Sequence, residues 1–216
     1  MKKTVAVFVK HPECSLDSAN GIKTALSSEY NIKTFSVNDI KPSLFKGLDV
    51  IAFPGGIGDS DKYYDFVGRK AGNLIEDFVN DGGHYLGICM GAYWAGHHYL
   101  DILDGVKCEQ YIKRKTSDIK RSYSTIATVD WNGKSEDMFF YDGCALIGDE
   151  RKFKTIARYS NGDPMAIIQN RIGIIGCHPE STKHWYEKPY NYINKYWHNG
   201  THHNLLLDFT NTLTQT

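Results

Sequence analysis

The sequence has no excess of charge. Its 25 lysines and arginines are matched by 25 aspartates and glutamates, which removes the long-range field that draws proteins to nucleic acid or an anionic membrane surface. Close pairs of cysteines are also missing. Cys14, Cys89, Cys108, Cys144 and Cys177 are odd in number and lack a CxxC, so neither a disulfide framework nor a zinc ribbon is indicated, and reduced thiols in a cytoplasmic setting are expected. No apolar run approaches the roughly 18 residues that a membrane span needs. The opening "MKKTVAVFVKHPEC" begins basic, as a signal peptide does, but its apolar run halts at Lys10 and no small-residue cleavage site follows; it reads as a first strand. Internal repeats, linkers and low-complexity segments are absent. What remains is a chain of 216 residues, 41% hydrophobic and 23% charged, long enough for one well-filled α/β core and taken as a single domain over residues 1–216.

The first half alternates strands and helices. "TVAVFV" is a β-branched run suited to burial on both faces, and "SLDSANGIKTALSSEY" has helical spacing at Ile22, Leu26 and Tyr30. "NIKTFSV" is the second strand. Val50 to Phe53 form a third, halted by Pro54, Gly55 and Gly56. "AGNLIEDFVNDGG" sets Leu74, Ile75, Phe78 and Val79 on one helical face before a Gly82–Gly83 stop, and "HYLGI" is strand four. This rhythm predicts a flavodoxin-like open, mostly parallel sheet with helices on both faces. The second half changes texture. "KCEQYIKRKTSDIKRSYSTIATVDWNGK" suggests a solvent-facing hairpin turning at Asn132–Gly133. "EDMFFYDGCALIG", "FKTIARYS", "PMAIIQN" and "RIGIIGCHPES" are short strands, with turns at Asn161–Gly162 and Gln169–Asn170, and predict an antiparallel extension. A helical, aromatic tail from about residue 183 to 216 is broken near Asn199–Gly200.

Chemistry concentrates where strands end. In "YLGICMGAYWAG", Gly87, Cys89 and Gly91 spell GxCxG, the cysteine form of a nucleophile elbow in which a strand turns sharply into a helix. A cysteine nucleophile needs a base, a group that orients the base, and donors for the developing oxyanion. "IIGCHPES" ends an apolar strand with His178 and Glu180, which an extended backbone would point to one side. "FPGG" ends another, and strand ends of an open parallel sheet gather along one crevice. Backbone N–H groups at Gly55 or Gly56, with that of Met90, are the candidate oxyanion donors.

"FPGG", "YLGICMGAYWAG" and "GCHPES", in this order and spacing, resemble the class I glutamine amidotransferase superfamily, whose triad is Cys, His and Glu. More closely, "GGHYLGICMGAYWAG", "FFYDGCALI", "KTIARYSNGDPMAIIQ" and "IGIIGCHPES" resemble the amidotransferase-like domain at the N-terminus of fungal biotin–protein ligases and in stand-alone bacterial proteins. That resemblance runs from about residue 3 to about residue 182. It implies Cys89 as nucleophile, His178 as general base and then acid, and Glu180 as its orienting partner. Gly55, Gly56 and Met90 would then contact the oxyanion. Tyr141, Asp142 and Gly143 match a Tyr-x-Gly segment of the closer family and would line the pocket with Tyr93. Tyr93 stands where glutaminases of the superfamily carry glutamine, so the resemblance stops short of recognition of free glutamine. Met90 stands where the protease-like branch puts a histidine.

The resemblance implies hydrolysis or transfer at a small amide or acyl group through a Cys89 thioester, without metal or organic cofactor. The alternatives are a catalytically silent binding or regulatory domain, and a glutaminase subunit that needs a separate synthase or ligase chain. Other features read more plainly. Cys177 alternates away from His178 and is a core thiol; Cys144 packs. The pairs His97–His98 and His202–His203 do not share a helical face, which argues against a metal site. Lys113, Arg114, Lys115, Lys120 and Arg121 form a solvated loop, and the aromatic tail, Trp185 to Trp197, is core or a dimer surface.

Overall fold

A computed structural model describes residues 1–10, 14–56, 67–187, 189 and 191–216. The main sheet has nine strands in the order β2-β1-β3-β4-β11-β10-β9-β6-β7. Its parallel half comprises β1 (Thr4–Lys10), β2 (Asn31–Ser36), β3 (Val50–Phe53), β4 (His84–Ile88) and β11 (Ile172–Ile175). Val5 to Phe8, Val50 to Ala52 and Ile174 to Ile175 are fully buried, because a parallel strand covered on both faces has no side left for water. Neighbours on one face follow from the register. Phe53 and Ile174 both pair with Gly87, and on that face Trp94 packs 6.1 Å from Phe8 and 5.6 Å from Phe53 between ring centroids. Gly173, one residue along and therefore on the other face, lies under Phe209 and Leu213.

The helices carry those residues. They are α1 (Leu16–Leu26), α2 (Gly68–Asn80), α3 (Met90–Trp94) and α4 (Thr201–Leu213). Trp94 ends α3 on one face, whereas Phe209 belongs to α4, which packs on α1 across the other. Helices on both faces of a sheet that is parallel and then antiparallel make this the α/β architecture expected. Ser15 caps α1, accepting a hydrogen bond from the Ser18 amide at 3.2 Å. Ile75, Phe78 and Val79 bury the face of α2 as their spacing predicts.

The antiparallel half comprises β10 (Pro164–Gln169), β9 (Lys154–Tyr159), β6 (Thr125–Trp131) and β7 (Lys134–Phe140). Asn132 at φ 51° and Gly133 at φ 82° make the β6–β7 turn, a pair of left-handed residues that matches the twist of the strands. Three details correct the expectations. Gln169 stays in β10 with its side chain buried, and its amide group bonds the backbone of Asp104; the left-handed turn residue is Asn170, at φ 51°. "EDMFFYDGCALIG" is split: β7 joins the main sheet, while β8 (Cys144–Gly148) leaves it to pair with β5 (Val106–Gln110). Asp142, at φ 51°, reverses the chain between the two. Finally, Arg114 is not simply solvated: it bridges Glu109 and Asp163, each at 2.8 Å.

In the tail, Tyr186 and Ile193 pack with Phe139 at the end of β7. Gly200, at φ 87°, breaks the chain before α4. Among the described residues no helix is long and apolar enough to cross a membrane.

Candidate functional site

Three strand ends meet at one edge of the parallel half. β4 ends at Cys89, whose φ of 49° and ψ of −102° turn the chain directly into α3. Few side-chain-bearing residues hold such angles, and those that do are held by their surroundings. Here the flanking glycines allow it. A Cβ on Gly91 would lie 2.2 Å from the Phe53 carbonyl oxygen, and one on Gly87 would lie 2.4 Å from that of Gly91. The Cys89 amide donates to the Ile175 carbonyl at 2.8 Å, which ties the turn to β11. Cys89 is 7% exposed, and its Sγ contacts the Tyr141 carbonyl at 3.5 Å.

β11 delivers the next pair. His178 Nδ1 and Glu180 Oε1 are 2.8 Å apart, and both side chains are buried. Their meeting was expected from an extended backbone; the structure achieves it differently. The segment closes a turn in which the Ser181 amide donates to the His178 carbonyl at 3.2 Å. Pro179 takes the second position of that turn, where its fixed φ is favourable. The His178 amide donates to the Phe139 carbonyl at 3.0 Å, anchoring the turn to β7.

Glu180 is fully buried, and α1 supports it. Ser18 Oγ donates to Glu180 Oε1 at 2.5 Å and accepts from the Gly55 amide at 2.9 Å. Three residues on, a Cβ at Gly21 would stand 2.0 Å from the Glu180 carbonyl oxygen, so only glycine lets the helix come this close. Glu180 Oε2 has no hydrogen-bond partner among the described residues. Burial by itself would lower the affinity of His178 for a proton. The Glu180 carboxylate and Cys89 outweigh it and raise the imidazole to about 10. The other side of the turn is held by the tail. His203 Nε2 lies 3.1 Å from the Ser181 carbonyl oxygen, and Ser181 Oγ lies 2.8 Å from the Tyr186 hydroxyl.

A cleft of about 440 Å³ opens over this edge. Gly56, Tyr141 and His178 line it, and Ser15, Asp17, Ser124 and His184 supply polar groups. Phe139, Trp185 and Pro189 complete the walls. The Trp185 ring stands edge-on to His178 at 5.3 Å and the Phe139 ring at 5.8 Å. Asp17 Oδ2 and His184 Nε2 pair at 2.9 Å.

Of the expected catalytic residues, His178 and Glu180 meet directly, and Cys89 stands near enough to His178 to help raise its pKa. The oxyanion assignment divides. The Gly55 amide is occupied by Ser18 Oγ, and a Cβ at Gly55 would sit 2.6 Å from His178 Cε1, so Gly55 holds the histidine rather than offering a free donor. Gly56 lines the cleft, and Met90 is the first residue of α3, where amides have no partner within the helix. Of the four expected pocket residues, Tyr141 lines the cleft. Tyr93 turns away and donates from its hydroxyl to the Asp142 carbonyl at 3.2 Å; burial pushes its own pKa up. The Asp142 carboxylate accepts from Gln110 Nε2 at 3.0 Å. Gly143 packs against Gly176, where a Cβ would meet the carbonyl oxygen at 2.1 Å. These three shape the turn that brings the Tyr141 carbonyl to Cys89.

The sequence reading missed Ser18, Gly21 and Trp185. A serine and a glycine three apart on the otherwise apolar buried face of α1 were the available signals. Cys144 and Cys177 are fully buried; the Cys144 thiol is pushed up in pKa by its hydrogen bond with Cys108 and then by burial, and that of Cys177 chiefly by burial. All five cysteines are free. Among the described residues no group of three or more His, Cys, Asp or Glu side chains is arranged to hold a metal ion.

Residues 10–116 match the family described as "Biotin-protein ligase, N terminal". That stretch contains Gly55, Gly56, Cys89 and Tyr93 and ends before His178. No curated protein matches the sequence. Among solved structures, a glutamine amidotransferase from Thermotoga maritima is 12% identical, with all of each chain covered and a TM-score of 0.66. A putative GMP synthase subunit protein from Thermoplasma acidophilum is 14% identical, with 100% of this chain and 96% of that one covered and a TM-score of 0.62. A glutamine amidotransferase from Methylobacillus flagellatus is 12% identical, with 100% and 90% covered and a TM-score of 0.57.

Proposed function

We propose, from the premise that this chain has the class I glutamine amidotransferase-like fold, that it is a cysteine-dependent amidohydrolase or amidotransferase-like domain. Its chemistry runs through Cys89, His178 and Glu180. The observation that carries this reading is the buried 2.8 Å contact of His178 Nδ1 with Glu180 beside a cysteine held at φ 49°, the geometry of a nucleophile elbow. Glu180 accepts a hydrogen bond from Nδ1–H and leaves Nε2 for the thiol. Proton transfer from Cys89 to His178 forms a thiolate and an imidazolium, the charged form that Glu180 favours.

The thiolate attacks the amide carbonyl carbon, and the amides of Gly56 and Met90 receive the oxyanion. Collapse breaks the C–N bond, the amine leaves with the His178 proton, and a thioester remains. Water, deprotonated by His178, then cleaves the thioester and restores the thiol, or an acceptor amine takes the acyl group. Residues 1–216 act as one domain in this reading, supported by the packing of α4 on α1 and β11. The free thiols fit a reducing, cytoplasmic compartment.

A second reading rests on the 7% exposure of Cys89: a separate synthase or ligase chain opens the site before it turns over. One of the similar structures is itself a putative synthase subunit.

The test is the pH dependence of iodoacetamide labelling at each cysteine, resolved by peptide mass spectrometry, in wild type and His178→Ala. Cys89 should label first near neutral pH and slow when the imidazole is removed, while Cys14, raised to about 12 by burial, stays silent. Labelling of Cys89 at one rate in both proteins sinks the catalytic reading of the isolated chain.

A further inference from the structure

The walls of the cleft identify the amide more closely. Free glutamine is a zwitterion, and a site for it must meet a carboxylate. Among the described residues that line the cleft there is no lysine or arginine, and the acidic group present is Asp17, already paired with His184 at 2.9 Å. A carboxylate brought to this mouth meets Asp17, and the cationic groups that the described lining offers are imidazoles: His184, held by Asp17, and His178, held by Glu180. The walls offer something else. Phe139, Tyr141 and Trp185 present aromatic surface, with Trp185 and Phe139 4.9 Å apart and both edge-on to His178.

Exposed apolar groups collect at the same place. Apart from Met1, the large hydrophobic side chains exposed among the described residues are Leu16, Tyr123, Tyr141 and Tyr192. Leu16 lies between the cleft residues Ser15 and Asp17, and Tyr123 precedes the cleft residue Ser124. Tyr192 donates its hydroxyl to the Ser124 carbonyl. Exposed apolar surface gathered at the mouth of a concave site marks where a ligand loses water. Tyr93, whose identity already distances the chain from glutaminases, points away from the cleft, so the discrimination falls to these walls.

We infer that the substrate is an uncharged carboxamide borne on an aromatic group, with the ring between Trp185 and Tyr141 and the amide at His178 and Cys89. This rests on the catalytic reading of Cys89 for its orientation, and the test separates the two. The full chain carrying Cys89→Ala is titrated by calorimetry with N-acetyl-L-phenylalaninamide and with L-glutamine. The aromatic amide should bind at least roughly tenfold tighter than glutamine, and Trp185→Ala or the more exposed Tyr141→Ala, each added to that protein, should weaken it roughly tenfold while melting cooperatively. Equal or tighter binding of glutamine, binding of neither, or affinity indifferent to both substitutions overturns the inference. Ammonia release by wild type is read in parallel: an aromatic amide that binds selectively but yields no ammonia upholds the ligand class of the cleft and counts against the catalytic reading.

Discussion

Ser18→Ala isolates the support of the candidate site with little change in volume. The hydroxyl is fully buried and makes two bonds: 2.5 Å to the Glu180 carboxylate and 2.9 Å from the Gly55 amide. Losing a hydrogen bond to a charged group costs about 1.5–3 kcal/mol, and orphaning a buried amide costs about 1–3 kcal/mol. One hydroxyl serves both partners, so the two figures overlap, and the expected loss is about 3 kcal/mol. Glu180 Oε2 already lacks a partner among the described residues, which leaves the carboxylate little means of compensation. Urea unfolding at pH 7 should show the midpoint falling at constant slope, and the melting temperature should drop by roughly 6–12 °C for a chain of this size. Ser27→Ala removes an exposed hydroxyl bonded to Thr24 and should change stability by no more than about 0.5 kcal/mol. A loss below about 1 kcal/mol for Ser18→Ala would refute the claim that α1 holds the Glu180 carboxylate in place.

Gly21→Ala tests the same helix with the opposite prior. Helix propensity predicts a gain of about 1 kcal/mol, whereas the 2.0 Å approach of a Cβ to the Glu180 carbonyl predicts a net loss of about 1–3 kcal/mol; a gain in urea unfolding refutes the packing argument. Cys89→Gly should be more stable than Cys89→Ala by about 1 kcal/mol, because glycine relieves the strain of φ 49°; the reverse order in thermal melts would show no strain there. Stability should fall between about pH 6.5 and pH 3. The unfolded chain takes up protons that His198 refuses until about pH 3, chiefly through burial and then through His202 and His203, and His84 and His202 are lowered in the same direction although Glu136 faces His202. A fully excluded proton gives a slope of about 1.4 kcal/mol per pH unit, which His198→Gln should flatten; an unchanged slope in denaturation from pH 7 to 4 counts against it. His178 has the opposite sign, stabilising below its unfolded pKa and losing that contribution as pH rises through about 10; Glu180→Gln should abolish the alkaline loss, and its persistence in melts from pH 8 to 11 would show another group to be responsible.

Much of this molecule was legible in sequence because the signals were local. Short β-branched apolar runs such as Val5 to Phe8 suit strands covered on both faces, and Asn132–Gly133 favours the tight turn between two strands. Cys89 between glycines, and His178 two residues before Glu180, carry their chemistry within a few bonds. Contacts between distant segments carried no such mark. Ser18 reaches Glu180 across 162 positions, and Trp185 stands beside His178 although its sequence neighbours suggest only an aromatic tail. Gly55 and Gly56 look alike in "FPGG"; Ser18, from across the fold, takes the amide of the first, and the second lines the cleft. The direction of Tyr93 was likewise set by the turn at Asp142, which brings a carbonyl within reach of its hydroxyl. Strand order, the departure of β8 from the main sheet and the aromatic walls of the cleft belong to the tertiary structure for one reason. Each depends on which buried groups must satisfy one another once distant parts of the chain are packed, and short-range pattern holds no record of that.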